Sequence, residues 1–407
     1  MRISTRTIYE NATSQLNLLQ SQMARTQNQL SANTRILTAA DDPIAAARAL
    51  EVTQAQSLNT QYGTNRNNAN SSLAQVEQAL GNSSNLLIDV QALVVQAGNG
   101  SWSKSDREAL AVDIEGRMQD LLAVANSTDG TGNYLFSGYR STTIPFAQTA
   151  TGASYAGDQG QRMLQVGSAR TMAVSETGSA VFESNRTGNG SYQTTMASNN
   201  KGSGVASSGS VVDPSKLNGH EYTLSFSIAG TPATTTYTVT DNSIDPPEAL
   251  VSGEPFVAGQ KIMVGAVAFD VKGAPANGDS FAVKPSKKES VFTTLTDLVT
   301  ALRSATDDEA GRAVLGNKLS VANENLTSSL DNILSVRASV GSRMKELDYL
   351  EDTGLDLNVQ YSATLSKLQD LDVAKAISDF TSQQTTLQAA QVSFKTMSGL
   401  SLFNYIS

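Results

Sequence analysis

The sequence predicts a mostly α-helical protein with a β-rich insert: a long antiparallel helical rod, a terminal coiled coil, and one or more outer β domains inserted mid-chain. Three observations carry this. Of the nine prolines, only Pro43 lies in residues 1–137, none lies in 291–407, and the others fall in 138–290. The two proline-poor arms space their apolar residues by alternating steps of three and four, the period of a helix. The middle zone alternates β-branched and aromatic residues with polar ones, the period of a half-buried strand.

In the first arm, Tyr9, Ala12, Leu16, Leu19, Met23, Thr26, Leu30, Asn33 and Leu37 form one helical stripe. A turn is expected over 31–42. It ends in TAADDPIAAARAL (38–50), where two carboxylates precede a proline. Acid–base chemistry needs carboxylates facing one another across a substrate, which adjacent residues rarely do. The capping reading accounts for every residue. Asp42 is a favoured N-cap for the orphan N–H groups of a first turn. Pro43 suits the first helical position, where its missing N–H costs nothing. Leu73, Val76, Leu80, Ser83, Leu87, Val90 and Val94 continue the arm. After a GNGSW turn, Ser105 and Glu108 have capping-box spacing and open a helix faced by Ala111, Ile114, Met118, Leu121 and Ala125.

The second arm keeps the three–four alternation from Leu315 to Leu371, interrupted only by Ser329, Arg343, Gly354 and Thr364. A continuous helix over that span would be about 85 Å long, which implies a rod. Gly354 is expected to interrupt it, because a mid-helix glycine costs about 1 kcal/mol relative to alanine. After Leu371 the phase slips, and Val373, Ile377, Phe380, Gln384, Leu387, Gln391 and Phe394 carry a new seam.

In the insert, 221–230 and 235–241 read as a hairpin, and 261–273 and 279–285 as further strands. The Ser/Gly-rich stretch 197–210 reads as a flexible linker. The predicted domains are therefore residues 1–40 with 366–407 (coiled coil), 41–137 with 291–365 (rod) and 138–290 (β-rich), the last divided near 191–210.

Composition excludes much chemistry. With 29 Lys+Arg against 38 Asp+Glu the net charge is −9, which argues against nucleic-acid binding. No apolar run reaches the roughly 20 residues that span a bilayer. No cysteine and one histidine, His220, remove thiolate sites and most zinc sites. His220 sits at the mouth of a strand and reads as solvated. DGTGN (129–133) lacks the spacing of a calcium loop and reads as a turn. No catalytic site, cofactor or metal is predicted. The N-terminus has no secretory signal, so export would use a route that leaves it in place.

The chain ends carry the positive signal. Leu400, Leu402, Phe403, Tyr405 and Ile406 make the C-terminus apolar, where termini are normally polar. Two amphipathic helices pairing through Leu16, Leu19, Met23 and Leu30 and through Phe380, Leu387 and Phe394 would still expose an apolar face. Such a pair is seldom stable alone, so copies or neighbours are expected to complete it.

MRIST at the start, LSANTRILTAADDPIAAARAL (30–50), NYLFSGYRSTTIPF (133–146) and LQAAQVSFKTMSGLSLFNYI (387–406) resemble the flagellin superfamily. The match covers both arms and the first part of the insert. Filament flagellins typically carry DDAAG where this chain has Asp41, Asp42 and Pro43, and they lack the LSLFNYI ending. The likeness is therefore to the hook–filament junction branch. It implies an extracellular structural adaptor, not an enzyme. The implied partners are further copies, the first hook-associated protein, flagellin, and an export chaperone with the type III apparatus, without nucleic acid or membrane. Two alternatives stand beside it: a filament-forming flagellin, and a surface glycan-binding or enzymatic protein acting through 138–290.

Overall fold

A computed structural model of the chain describes residues 5–100 and 102–399. It divides into two compact units, residues 1–64 with 349–407, and residues 65–348. Six helices flank the strands: α1 (Thr5–Ala32), α2 (Pro43–Ala97), α3 (Lys104–Ala125), α4 (Val291–Ser304), α5 (Glu309–Gln369) and α6 (Val373–Gly399). No helix is long and apolar enough to cross a membrane, among the described residues.

The helical core of the 65–348 unit follows the periodic positions. Leu73, Val76, Leu80, Leu87, Val90 and Val94 of α2 are buried, as are Leu315, Leu319, Leu326, Ile333, Val340 and Leu347 of α5. The polar breaks in the α5 stripe have partners. Arg343 pairs with Glu176 and donates to the Ala173 carbonyl at 2.8 Å, which ties the insert to the helix. Buried Arg66 likewise donates to the Val166 carbonyl at 3.2 Å. α3 starts two residues earlier than its sequence suggests. The box is Ser103 with Asp106, each side chain bonding the other's backbone. Ser105 and Glu108 offer the same spacing, but Asp106 already holds both the N–H and the hydroxyl of Ser103.

Short strands begin the insert. β1 (Phe146–Thr149) pairs with β2 (Gly152–Tyr155), and β3 (Met163–Gly167) with β4 (Arg170–Ala173). An aromatic cluster of Phe136, Phe146, Phe182 and Phe292 packs edge-on and tilted beneath them, with ring centroids 5.2–6.0 Å apart. Next comes β5 (Asn185–Arg186), followed by two sheets around one core. The first sheet uses β6 (Tyr192–Met196), β9 (Tyr222–Ala229), β10 (Thr234–Asp241), β11 (Glu248–Pro255) and β14 (Ser280–Pro285), in the order β11-β10-β9-β14-β6. In the second, β13 (Val267–Lys272) pairs with β12 (Lys261–Val264), β7 (Val205–Ala206) and β8 (Ser210–Val211). Leu224, Phe226, Val239 and Phe281 of the first sheet meet Ile262, Val264, Phe269 and Val271 of the second. β15 (Lys288–Glu289) closes the insert by pairing with β5.

The stretch 197–210 is not a flexible linker. Asp279 accepts from the amides of Lys201 and Gly202 at 2.8 and 2.9 Å, and Asn200 brackets the backbone of Ser280. Buried acceptors elsewhere in the chain thus order a sequence that has little preference of its own. Gly354 does not interrupt α5 either. It is buried inside a continuous helix, and the Asn59 side chain donates to its carbonyl at 2.7 Å.

Candidate functional site: the terminal helix pair and the break at its base

α1 and α6 lie side by side in the 1–64/349–407 unit. On α1, Ala12, Leu16, Leu19, Met23 and Leu30 are half-buried and Thr26 is buried. On α6, Ala376 and Leu387 are buried, and Phe380, Gln383, Ala390 and Phe394 are half-buried. Tyr9 meets Phe394 edge to face, with centroids 5.4 Å apart. The structure thus brings Leu16, Leu19, Met23, Leu30, Phe380, Leu387 and Phe394 to one seam. Leu400, Leu402, Phe403 and Tyr405 lie outside the described residues.

The α6 seam differs from the expected one. Alternate inward positions are Ala376, Gln383 and Ala390, while Gln384 and Gln391 face out. Asp372 accepts from the Lys375 amide at 3.0 Å and starts α6, and Ala376, one turn on, is buried. Small residues there let the two backbones approach. The apolar residues displaced from the expected seam are exposed, Val373 by 44% and Ile377 by 52%, joined by Val392 at 65% and Leu18 of α1 at 56%. Leu18 and Val392 went unnoticed because they are single apolar residues beside a stronger stripe.

At the base of the pair, two helical runs of the chain break together, after Ala32 and after Gln369. The α1–α2 turn lies beside residues 370–372, and Thr34 bridges Asp370. Arg35 holds the two breaks. Its amide donates to Gln369 O at 2.7 Å, and its guanidinium reaches Leu368 O at 2.8 Å and Asp42 at 3.1 Å. The phase slip read after Leu371 is therefore a helix end.

Asp41 and Asp42 divide the labour at this turn. Asp42 Oδ1 accepts from the Ala45 amide at 3.0 Å, and its carbonyl accepts from Ala46, with Pro43 in the first turn of α2. Asp41 Oδ2 accepts from the amides of Thr38 and Leu37 at 2.8 and 2.9 Å, and Oδ1 pairs with Arg25 at 2.8 Å. These bonds hold both carboxyls below their ordinary 3.8: for Asp41 the Thr38 and Leu37 amides, then Arg25, and for Asp42 the Ala45 amide, then Arg35. Both are thus ionised acceptors with partners, unsuited to holding a proton for transfer.

Other candidates are structural as well. Asp129 accepts two bonds from Thr131 and two from Asn133, which fill the carboxylate with donors rather than leaving it for a cation. His220 is partly exposed, with a fixed partner on one side. Its Nδ1 lies 2.7 Å from Asp241, a buried carboxylate at the end of β10. No group of three metal-ligating side chains occurs among the described residues.

The model of the bacterial flagellin N-terminal helical region matches residues 3–141. Over 407 residues the chain is 29% identical to flagellar hook-associated protein 3 of Salmonella typhimurium, covering 99% of each. A crystal structure of hook-associated protein 3 from Legionella pneumophila superposes with a TM-score of 0.74 at 30% identity, covering 78% of this chain and 98% of that one. The chain belongs to the flagellar hook-associated protein 3 family. A crystal structure of the flagellar junction protein FlgL from Legionella pneumophila is similar too, at TM-score 0.72 and 29% identity, covering 79% of this chain and 100% of that one. Flagellins match over less. The Serratia marcescens protein is 30% identical over 142 residues, 35% of this chain and 40% of its own. The likeness to hook-associated protein 3 thus spans arms and insert together, where the likeness to this flagellin spans 35% of the chain.

Proposed function

We propose that this chain is a structural adaptor of the bacterial flagellum, assembling as a ring that joins the hook, through the first hook-associated protein, to flagellin. The observation that carries this reading is the terminal pair: one apolar seam closed within the chain, and a second set of apolar side chains left outside. Residues 1–40 with 366–407 would line the inner tube, and 41–137 with 291–365 the outer tube around it. The insert 138–290 would project outward. Leu18, Ile377 and Val392 would bury against neighbours, together with Leu400, Leu402, Phe403 and Tyr405. Burial at roughly 25 cal/mol per Å² supplies the cohesion. An export chaperone covering α6, and type III export, would keep that surface from self-association before assembly. No reaction is assigned to the protein.

The test is complementation of a strain lacking the gene. The intact chain should restore attached filaments. Hooks that continue to shed flagellin would refute the adaptor reading. Long filaments grown from the purified chain alone would favour a flagellin instead.

A further inference from the structure

In an asparagine–glycine pair the glycine nitrogen can close on the asparagine side chain, because no side chain of its own stands in the way. The pair occurs four times, at Asn99, Asn189, Asn218 and Asn277. At two of these the nitrogen is tied down. The Gly190 amide donates to the Thr187 carbonyl at 3.3 Å, and the Gly278 amide to the Phe226 carbonyl at 2.9 Å. Asn218 and Gly219 are both exposed, in the loop that leads into β9.

Three donors converge on one oxygen of this loop. Asn218 Oδ1 accepts from the Tyr222 hydroxyl at 2.9 Å, the His220 amide at 3.1 Å and the Tyr192 hydroxyl at 3.3 Å. The His220 amide can only donate, which fixes the atom as the oxygen of the side-chain amide. Both tyrosines are buried in the sandwich core, which holds their hydroxyls in place from behind. A resting amide oxygen has two lone pairs. Three donors exceed what it can use and suit the oxyanion that forms when Cγ is attacked. The bond to the amide two residues on also folds the side chain back over its own peptide, toward the Gly219 nitrogen. The amides of Gly219 and His220 face the Tyr192 hydroxyl as well.

We infer that Asn218–Gly219 is a self-modifying site, at which the chain's own groups convert Asn218 to aspartate or isoaspartate. The bond from Gly219 N to Asn218 Cγ forms while the Gly219 proton passes to Tyr192 Oη and the Tyr192 proton to Oδ1. Tyr222 and the His220 amide hold that oxygen meanwhile. On collapse the carbonyl re-forms, the hydroxyl proton moves to Nδ2, the Cγ–Nδ2 bond breaks and ammonia leaves. Water then opens the succinimide ring, at one carbonyl to give aspartate and at the other to give isoaspartate. Water is the sole co-reactant, and Tyr192 ends with the proton count it began with.

The test compares sites within one full-length chain. The purified protein is aged at neutral pH, either folded or in denaturant, then digested, and each Asn–Gly peptide is scored by mass spectrometry for conversion of amide to acid. Denaturant gives the intrinsic rate of each site. Folding should slow Asn189 and Asn277, whose glycine nitrogens are committed, and should speed Asn218. Tyr222→Phe keeps the ring and removes one donor, so it should slow conversion at Asn218 in the folded chain at least about tenfold. Tyr192→Phe, which breaks the proton relay, should do the same. Slow conversion at Asn189 and Asn277 in each variant certifies that it is still folded. Slower conversion at Asn218 in the folded chain than in denaturant would overturn the inference. Unchanged or faster conversion in either phenylalanine variant would overturn it too, because the three bonds would then lock the side chain instead of activating it.

Discussion

Replacing Leu387 by alanine and Ile377 by aspartate should separate the folding of the terminal pair from its assembly. The two residues lie on one helix, ten positions apart, with their side chains about 80° apart around its axis. Leu387 is 7% exposed in the seam and Ile377 is 52% exposed outside it. Leucine-to-alanine changes at buried sites cost about 2–5 kcal/mol. A seam only two helices deep relaxes easily, so the lower end, about 2 kcal/mol, applies here. That is enough to melt a pair of helices that is marginal in isolation. Hydrogen exchange should show α1 and α6 losing protection together in Leu387→Ala while the 65–348 unit keeps its own. Ile377→Asp should leave exchange nearly unchanged, because it removes no internal contact of weight. Its effect should appear on assembly. Burying the exposed half of an isoleucine contributes about 1 kcal/mol per subunit. An unpaired carboxylate in its place adds a desolvation cost of several kcal/mol, repeated at every position around a ring. Filament attachment and shear resistance in the complemented strain are the assay. Full protection in Leu387→Ala, or shear-resistant filaments with Ile377→Asp, would refute the division of this helix into a closed seam and an open face.

Three further outcomes are expected. Arg107 is buried at 4% exposure and spans two turns, donating to the carbonyls of Trp102 and Ala305 at 3.1 and 2.9 Å. Arg107→Ala should therefore destabilise the 65–348 unit by about 2–3 kcal/mol in denaturant melts, the cost of orphaned buried acceptors. Glu324 is pushed above its ordinary 4.5 by burial, and its Oε2 has no hydrogen-bond partner. A raised carboxyl favours folding while protonated and weakens it as pH climbs above 4.5, so Glu324→Gln should stabilise near neutral pH and gain nothing in acid. Gly152 has φ +125° and backs onto α4, where an added Cβ would lie 2.8 Å from the Phe292 backbone. Gly152→Ala should lower stability by at least about 2 kcal/mol, and an unchanged melting temperature would contradict the close approach.

The helical arms were legible because burial on a long helix repeats. Leu73 to Val94 and Leu315 to Leu347 were placed by spacing alone, and each turn of helix restates the same face. Single-position features were less legible. Ser103–Asp106 and Ser105–Glu108 present the same box, and only the preceding turn decides between them. Gly354 carries a real local penalty, which packing on both sides of it overrides. The stretch 197–210 has no intrinsic order, and the residue that fixes it, Asp279, lies some 70 positions away. The α6 seam was misphased because Ala376 and Ala390 look weaker than Ile377, although helix approach favours small side chains.

β5 and β15 make a narrow neck. The chain enters the sandwich at Asn185–Arg186 and leaves at Lys288–Glu289, and these four residues are register partners. The module is also fastened along α5, where the Asn317 side chain accepts from the Ala206 amide at 2.9 Å and donates to the Gly204 carbonyl at 3.0 Å. A module attached in this way can be enlarged at its far end while the neck stays shut, but excising it would leave the buried Asn317 and Asn325 of α5 without their insert partners. The far end of the insert is thus free to diversify while the neck and its α5 contacts stay constant.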